Sequence, residues 1–252
     1  MTTHVHFVGS IGLDTVDDVF GSVGAELKSR LKRCPDGEVG GRRLWITWQW
    51  PLLRSSPYLQ VDEQALIPGL GLCPLRLGAG ARAEDVAFGE LGYAREARAS
   101  YQDFLAARAR GQIAPTTRFQ VSLPTPFAVV QAFVVPEDAP RVLPAYEAAM
   151  LRELARLATA IPQADLAIQW DVCMEMLIWD GRTPYLPKVP DMERVFGATF
   201  ARLCGVVPAD VQLGFHLCYG DLDAEHAVQP VDLGKAVELA NLLLHHSPRH
   251  ID

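Results

Sequence analysis

Apolar residues follow two different spacings along this chain. Short and almost continuous apolar runs predict strands that are buried on both faces, whereas apolar residues at every third or fourth position predict amphipathic helices. The runs of the first kind are Val5–Ile11, Leu75–Gly78, Phe119–Leu123, Asp165–Asp171 and Gln212–Leu217.

Segments with helical spacing separate these predicted strands. A capping box at Thr15–Asp18 introduces the first helix, whose apolar positions run from Val16 to Leu31. Later helices are predicted at Tyr93–Arg110, Ala139–Ile161 and Met192–Leu203, and from Asp232 to about His246. The stretch from Gly40 to about Gly71 is irregular and rich in Trp, Pro and Gly, and long loops of this kind are usually functional or poorly ordered.

The alternation of strands and helices predicts the fold class. It favours an α/β domain over residues 1–252 with parallel strands and right-handed crossovers. Five such units fit either an open doubly wound sheet or part of an eight-stranded barrel. A dinucleotide-binding turn is not indicated, because Val8-Gly-Ser-Ile-Gly12 lacks the G-x-G-x-x-G spacing.

The charge and composition of the chain exclude some classes of binding partner. A net charge of −7 without a basic stripe argues against nucleic-acid binding. The start of the chain has no signal-peptide pattern and no apolar run approaches transmembrane length, so we expect a cytoplasmic protein without a membrane partner. The five cysteines are scattered and form no C-x-x-C pair, which favours free thiols over a disulfide framework.

Polar residues follow the predicted strands at their carboxyl ends, where the reactive groups of parallel α/β folds cluster. Gln169 and Asp171 share one face of a strand, and a buried carboxylate in that place needs a partner. His216 and Cys218 also share a face, and an imidazole with a thiolate forms half of a tetrahedral zinc site. The other candidates at strand ends are Gly9, Ser10 and Glu90.

Each candidate also has a structural interpretation. Gly9 and Ser10 fit a tight turn, Glu90 fits a solvated charge near a helix start, and His216 with Cys218 fits a packed core pair. His4-x-His6 has the same spacing, but it lies at the start of a predicted strand near the opposite end of the sheet. We interpret these two histidines as structural.

In their order along the chain, the strand-end motifs resemble the catalytic barrel of cobalamin-independent methionine synthase, within the group that includes uroporphyrinogen decarboxylase. The motifs similar to that family's are Val8-Gly-Ser10, Phe88-Gly-Glu90, Leu123-Pro-Thr-Pro126, Ile168-Gln-Trp-Asp171 and Phe215-His-Leu-Cys-Tyr219. Cys34-Pro-Asp-Gly-Glu38, with Arg42 and Trp45, resembles the shorter stand-alone members.

The resemblance implies a TIM (β/α)8-type barrel and a zinc-dependent transfer of a methyl group to a thiol such as homocysteine, as in methionine biosynthesis. It implies that His216 and Cys218 bind Zn2+. Glu90 and Asp171 would hold the substrate amine, with Gln169 on the same face, and Gly9 and Ser10 would hold its carboxylate. The methyl donor would be methyltetrahydrofolate or a similar carrier.

The chain also departs from the family. The family's barrel has eight strands and its remaining metal ligands lie on strands six and eight, whereas this sequence supplies about five units and two ligands. We therefore expect a missing C-terminal portion, or else a second chain that completes the barrel or a rearranged fold. The expected protein partners are further copies of this chain in a homo-oligomer or a complementing C-terminal chain. Two alternatives stay open: a zinc-free enzyme like uroporphyrinogen decarboxylase, and a non-catalytic paralogue or subunit that binds an amino acid.

Overall fold

The fold is taken from a computed structural model, which describes residues 3–222 and 225–252. Met1, Thr2, Asp223 and Ala224 fall within the predicted single domain but lie outside the described residues. The strands are β1 (Arg33–Pro35), β2 (Leu59–Val61), β3 (Leu75–Leu77), β4 (Arg118–Pro124), β5 (Leu166–Val172) and β6 (Gln212–Leu217). The helices are α1 (Val16–Leu27), α2 (Trp50–Arg54), α3 (Tyr93–Ala109), α4 (Pro126–Phe133), α5 (Ala139–Ala160), α6 (Met174–Asp180), α7 (Met192–Gly205) and α8 (Gly234–His246).

A four-stranded parallel sheet with the order β1-β4-β5-β6 forms the centre of the molecule. Every residue of β5 is buried, as expected for a parallel strand that is covered on both faces. The prediction of an α/β fold with parallel strands is therefore confirmed. Strands β4, β5 and β6 lie within one or two residues of the runs that predicted them.

The prediction of a regular strand at Val5–Ile11 is wrong. This segment makes only two isolated parallel bridges, Val5 to Leu31 and Ser10 to Gly37. Its carbonyl groups instead accept hydrogen bonds from side chains of β4: Gln120 Nε2 lies 2.9 Å from Phe7 O, and Ser122 Oγ lies 2.9 Å from Val8 O. Backbone groups that bind side chains in this way are not available for a continuous ladder.

The prediction that Leu75–Gly78 is a parallel strand of the main sheet is also wrong. Strand β3 pairs antiparallel with β2 in a separate two-stranded sheet. On the other edge of β3, the Leu77 N–H donates to the side chain of Asp138, the residue before α5, at an N–Oδ2 distance of 2.8 Å. The place beside β4 in the main sheet is taken by β1, a three-residue strand ending at a proline that the pattern did not reveal.

The predicted helices are confirmed, with ends within a few residues of those expected. Thr15 caps α1, since its hydroxyl accepts the Asp18 N–H at 3.1 Å. Helices α4 and α6 were not predicted from the sequence. The first five residues of each helix are buried, so polar and apolar positions do not alternate there with the helical period. Among the described residues, no helix is both long and apolar enough to cross a membrane.

One buried carboxylate serves the fold alone. Glu153 on α5 is fully buried and accepts the N–H groups of Leu91 at 3.2 Å and Ala94 at 2.7 Å. These groups belong to the start of α3, whose N-cap residue Gly92 has no side chain to offer. Arg156 pairs with the same carboxylate at 3.0 Å. Because both oxygens of Glu153 have partners, we assign it to the structure of the helix pair.

Candidate functional site

The register between β5 and β6 places the predicted site residues side by side. Asp171 lies directly opposite His216 in the ladder. The pairing continues past the strand ends, because the Cys218 N–H donates to Val172 O at 3.1 Å. This places Cys173 opposite Cys218, two positions further along.

The Asp171 carboxylate joins the two neighbouring strands through its hydrogen bonds. Its Oδ1 lies 3.3 Å from His216 Nδ1 and accepts a hydrogen bond from Gln169 Nε2 at 2.8 Å. Burial raises the pKa of Asp171, although the hydrogen bond from His216 opposes this shift. Burial also lowers the pKa of His216, but its hydrogen bonds to Asp171 and Cys218 outweigh that effect and raise it to about 10. The imidazole is therefore held as a cation beside a carboxylate and a thiol.

The thiols of Cys173 and Cys218 lie close enough for each to shift the pKa of the other. The hydrogen bond to Cys173 lowers the pKa of Cys218, and the positive charge of His216 acts in the same direction. The same thiol–thiol contact and burial raise the pKa of Cys173. The Gly220 N–H donates to Cys218 Sγ at 3.2 Å and further stabilises the thiolate. Cys173 was not selected from the sequence as a site residue, although it continues the alternation Gln169-x-Asp171-x-Cys173.

The four residues Asp171, Cys173, His216 and Cys218 are called the thiol half of the site below. A second group, the carboxylate half, consists of Gly9, Ser10 and the turn Asp36–Glu38. The Ser10 hydroxyl donates to Glu38 Oε2. A Cβ added to Gly9 would lie 3.2 Å from Glu38 Oε2. The backbone of Val5–Ile11, called the first segment below, therefore runs close against this carboxyl group.

Glu38 connects the two halves electrostatically. Burial raises its pKa to about 7, and the charges of Asp171 and Asp36 add to that shift. The sequence motif containing Glu38 was noticed, but its carboxylate was not selected as a site residue. No periodic pattern points to it, because it lies in a turn after β1.

The turn that presents Glu38 has an unusual backbone. Gly37 and Glu38 both have positive φ angles, of 78° and 49°. A non-glycine residue rarely adopts this conformation, and such residues are concentrated at functional sites. Asp36 holds the turn, since its Oδ1 accepts the Glu38 N–H at 3.0 Å. Asp36 is itself bound by Arg42 at 2.7 Å and by Ser100 at 2.7 Å.

A small polar cavity lies beside Glu38. Its volume is about 20 Å³, enough for one water molecule or a group of that size. Asp36, Glu38, Arg42, Tyr93 and Gln120 are among its lining residues. The Tyr93 hydroxyl and Gln120 Oε1 are buried and make no hydrogen bond with a described residue. Buried polar atoms normally have partners, so the cavity offers unsatisfied hydrogen-bonding groups to a small occupant.

The first segment also brings a histidine to this region. His6 Nε2 lies 2.8 Å from Gln169 Oε1, and Gln169 Nε2 donates to the carbonyl of Val8. The expectation that His6 lies near the opposite end of the sheet is therefore wrong. Because Val5–Ile11 bonds to side chains of the sheet instead of extending it, His6 reaches the exposed rim of the site.

The structure does not bring Glu90 to the thiol half. Its carboxylate is 44% exposed and pairs with Arg95 at 3.2 Å. No hydrogen bond among the described residues joins Glu90 to Ser10, Asp171 or His216. The role in amine binding that the resemblance implies for Glu90 stays a prediction.

Another buried carboxyl group, Glu175, lies close to the thiol half. Its Oε1 accepts the Thr125 hydroxyl at 2.5 Å, while its Oε2 has no hydrogen-bond partner among the described residues. Burial raises its pKa to about 7. The negative charge of Glu175 also raises the pKa of Cys173. Glu175 was not selected from the sequence because an acidic residue within an apolar helix carries no motif.

His216 and Cys218 offer two donors that fit zinc. They lie on the same face of β6, and Asp171 binds the imidazole through Nδ1, as carboxylates do for metal-binding histidines. Within residues 3–222 and 225–252, no three His, Cys, Asp or Glu side chains are grouped closely enough to hold a metal ion.

Comparisons of the chain with models of known families, with curated proteins and with solved structures gave no match.

Proposed function

We propose that this chain is a methyltransferase that activates a small amino thiol at the His216–Cys218 site and methylates its sulfur. The observation that carries the proposal is the convergence of two kinds of group at one edge of the sheet. The thiol half supplies soft donors for a metal and the carboxylate half supplies negative charge for an amine. The four observed parallel strands would form part of a TIM-type barrel, the fold expected from the resemblance.

The thiol half supports sulfur activation. His216 and Cys218 would hold zinc, which when bound favours the thiolate form of a thiol substrate at neutral pH. Asp171 fixes the imidazole in one orientation, because its carboxylate meets Nδ1 and is itself held by Gln169. This arrangement leaves Nε2 as the atom that would bind the metal, and binding would displace the proton on it.

The carboxylate half supports recognition of an amine. The partly exposed Glu38 and the buried Asp171 lie near enough for the charge of Asp171 to raise the pKa of Glu38. A substrate ammonium placed between them would remove this repulsion, so binding is expected to lower the pKa of Glu38. We therefore assign to Glu38, together with Asp171, the role that the resemblance implies for Glu90. The methyl donor is proposed to be methyltetrahydrofolate or a similar carrier, and the location to be the cytoplasm.

The test measures zinc and homocysteine binding by the full chain. We expect zinc binding that is lost in His216→Ala and Cys218→Ala. Calorimetry on the zinc-loaded chain should then show homocysteine binding at least about tenfold tighter than homoserine, which lacks the sulfur. Homocysteine affinity should fall about tenfold in Glu38→Gln, an expected loss of one charged hydrogen bond. The matched control is Glu90→Gln, which should bind as the unmodified chain does.

Three results would contradict this proposal. The first is a folded chain that binds zinc no more tightly than its His216→Ala variant. The second is equal affinity for homocysteine and homoserine. The third is a loss of homocysteine affinity in Glu90→Gln that equals the loss in Glu38→Gln, which would return the amine to Glu90.

A second candidate function needs no metal. Asp171 contacts the imidazole of His216, and His216 shares a face of β6 with Cys218, an order that matches the orienting acid, base and nucleophile of cysteine-dependent acyl transfer. The hydrogen bonds from Cys173 and His216 favour the Cys218 thiolate without zinc. Covalent labelling separates the two functions. If Cys218 is a nucleophile, a chelator-treated sample should keep its turnover, and its thiol should react rapidly with iodoacetamide. If Cys218 is a zinc ligand, chelation alone should abolish function.

A further inference from the structure

We infer that Cys173 and Cys218 are a site of reversible oxidation, where a peroxide converts the two neighbouring thiols into a disulfide. The inference does not depend on the proposed function, because it follows from the register of β5 and β6 and the placement of the two sulfur atoms. The spacing of the cysteines along the sequence had predicted free thiols, so this disulfide was not expected.

The backbone places the two cysteines at the separation that a disulfide needs. Val172 pairs with Leu217 in the ladder, and the Cys218 N–H donates to Val172 O at 3.1 Å, so Cys173 and Cys218 occupy the next opposed positions. Neighbouring strands lie about 4.8 Å apart, which is within the range of roughly 4.4–6.8 Å between Cα atoms across a disulfide. Opposed residues of parallel strands also direct their side chains to the same face.

The sulfur atoms lie on the same side of one glycine. Gly220 donates its N–H to Cys218 Sγ at 3.2 Å, and a Cβ added to Gly220 would lie 4.0 Å from Cys173 Sγ. The two thiols also lie close enough for each to shift the pKa of the other. Closing the S–S bond therefore requires side-chain rotation and little movement of the backbone.

The remaining cysteines have different surroundings. Cys34 is buried and its Sγ donates to Pro35 O at 3.6 Å, while the Cys204 thiol hydrogen-bonds to Ser247. Cys73 is partly exposed on the segment before β3. These three residues serve as internal comparisons for the reactive pair.

The chemistry balances with hydrogen peroxide as the oxidant. Cys218 is partly exposed whereas Cys173 is 6% exposed, so peroxide meets Cys218 first. The Cys218 sulfur attacks one peroxide oxygen, an S–O bond forms, the O–O bond breaks, and the released hydroxide takes the thiol proton as water. The Cys173 sulfur then attacks Cys218, the S–S bond forms, and the leaving hydroxide takes the second proton. Two thiols and one peroxide thus give one disulfide and two waters.

The disulfide would remove Cys218 from any other role. A sulfur atom bound to Cys173 is neither a metal ligand nor a nucleophile, so oxidation would switch the site off and a dithiol reductant would restore it. Without Cys173, the sulfenic acid on Cys218 would persist and proceed to the irreversible sulfinic acid.

Peptide mapping under non-reducing conditions tests the pair directly. Trypsin cuts after Arg156, Arg182, Arg202 and Lys235, which places Cys173 on residues 157–182 and Cys218 on residues 203–235. Because Cys204 shares the second peptide with Cys218, Cys204→Ser is the matched control. After peroxide treatment we expect these two peptides to be cross-linked in the unmodified chain and in Cys204→Ser. The cross-link should be absent in Cys173→Ser and Cys218→Ser, and it should disappear on adding dithiothreitol.

The outcomes separate this inference from the proposed function. Oxidation of Cys218 to sulfinic acid in the unmodified chain without a cross-link would overturn the inference, and so would a cross-link that needs Cys204 but not Cys218. A cross-link that forms faster after chelation supports both a bound metal and the dithiol pair. A cross-link that forms at the same rate with and without chelator, in a chain that also binds no zinc, supports the dithiol pair and contradicts the zinc site.

Discussion

The two halves of the site are held by different forces. In the thiol half, Asp171 and His216 lie opposite each other on continuous strands, and backbone hydrogen bonds fix their positions. In the carboxylate half, Ser10 belongs to a segment with only isolated bridges, and Glu38 follows a glycine in a left-handed turn. The Asp36 carboxylate holds this turn by accepting the Glu38 N–H, and the Ser10 hydroxyl holds the Glu38 carboxylate by donating to it.

This difference predicts how substitutions in each half should change stability and the response to pH. A group on a buried strand cannot move without disturbing the sheet, so its loss leaves unpaired partners behind. A group on a turn can shift and be rehydrated, so its loss costs less and changes the ionisation of its neighbours more. The thiol half is therefore expected to contribute more to stability, and the carboxylate half is expected to control the response to pH.

Removal of the Asp171 carboxylate should have the largest effect. Asp171→Ala leaves the His216 imidazolium and the Gln169 amide without their shared acceptor, and we expect a loss of about 3 kcal/mol in the free energy of unfolding. Urea denaturation measures the loss. The pKa of His216, followed by NMR, should fall from about 10 towards its ordinary value.

Two further variants test the contrast between the halves. Asp171→Asn retains an acceptor for Gln169 and should lose less stability than Asp171→Ala. Ser10→Ala removes a hydrogen bond from an exposed residue, and we expect it to cost less than about 1 kcal/mol. Equal losses for Ser10→Ala and Asp171→Ala would contradict the division of the site into two differently held halves.

Glu38→Gln should have the next largest effect, and its size should depend on pH. The folded chain raises the pKa of Glu38 from 4.5 to about 7, so the fold favours the neutral carboxyl group. This contribution is fully present below about pH 4.5 and is lost as the pH rises through about 7. A neutral glutamine has no such loss, so the stability of the variant relative to the unmodified chain should rise by up to about 3 kcal/mol between pH 4 and pH 8.

The measurement is a series of denaturation curves between pH 4 and pH 8, with Glu90→Gln as the matched control. Glu90 is half exposed and paired with Arg95, so its replacement should shift the curves by a similar small amount throughout this range. The assignment of a raised pKa to Glu38 would be wrong if Glu38→Gln also shifted all curves equally.

The sequence predicted the thiol half better than the carboxylate half for a physical reason. Strand β5 is a buried apolar run and β6 is a partly exposed one, and their alternation placed Gln169, Asp171, His216 and Cys218 correctly relative to one another. Cys173 continues the same alternation but begins a helix, so the strand pattern had already ended there.

The carboxylate half depends on contacts that no local pattern contains. Glu38 reaches Ser10 across 28 positions of the chain, and its turn needs Asp36, which is fixed by Ser100 on α3. The error at Leu75–Gly78 has a related cause: a short apolar run predicts a strand but cannot specify its partner or its direction. Distant side chains decide both features.

The smallest expected effect concerns Gly9, where the backbone packs against Glu38 and Ser122. A Cβ at this position would lie 3.2 Å from both Glu38 Oε2 and Ser122 Oγ, which is tighter than ordinary van der Waals contact. Glu38 lies on a turn and can yield by a few tenths of an ångström, so Gly9→Ala should cost only about 1 kcal/mol. It should also lower the pKa of Glu38 by moving the carboxyl group towards water. Gly12→Ala is the matched control, since a Cβ there meets no atom within 4 Å. Equal stability and equal Glu38 titration in the two variants, measured by urea denaturation and NMR, would show that the first segment does not press against the carboxylate half.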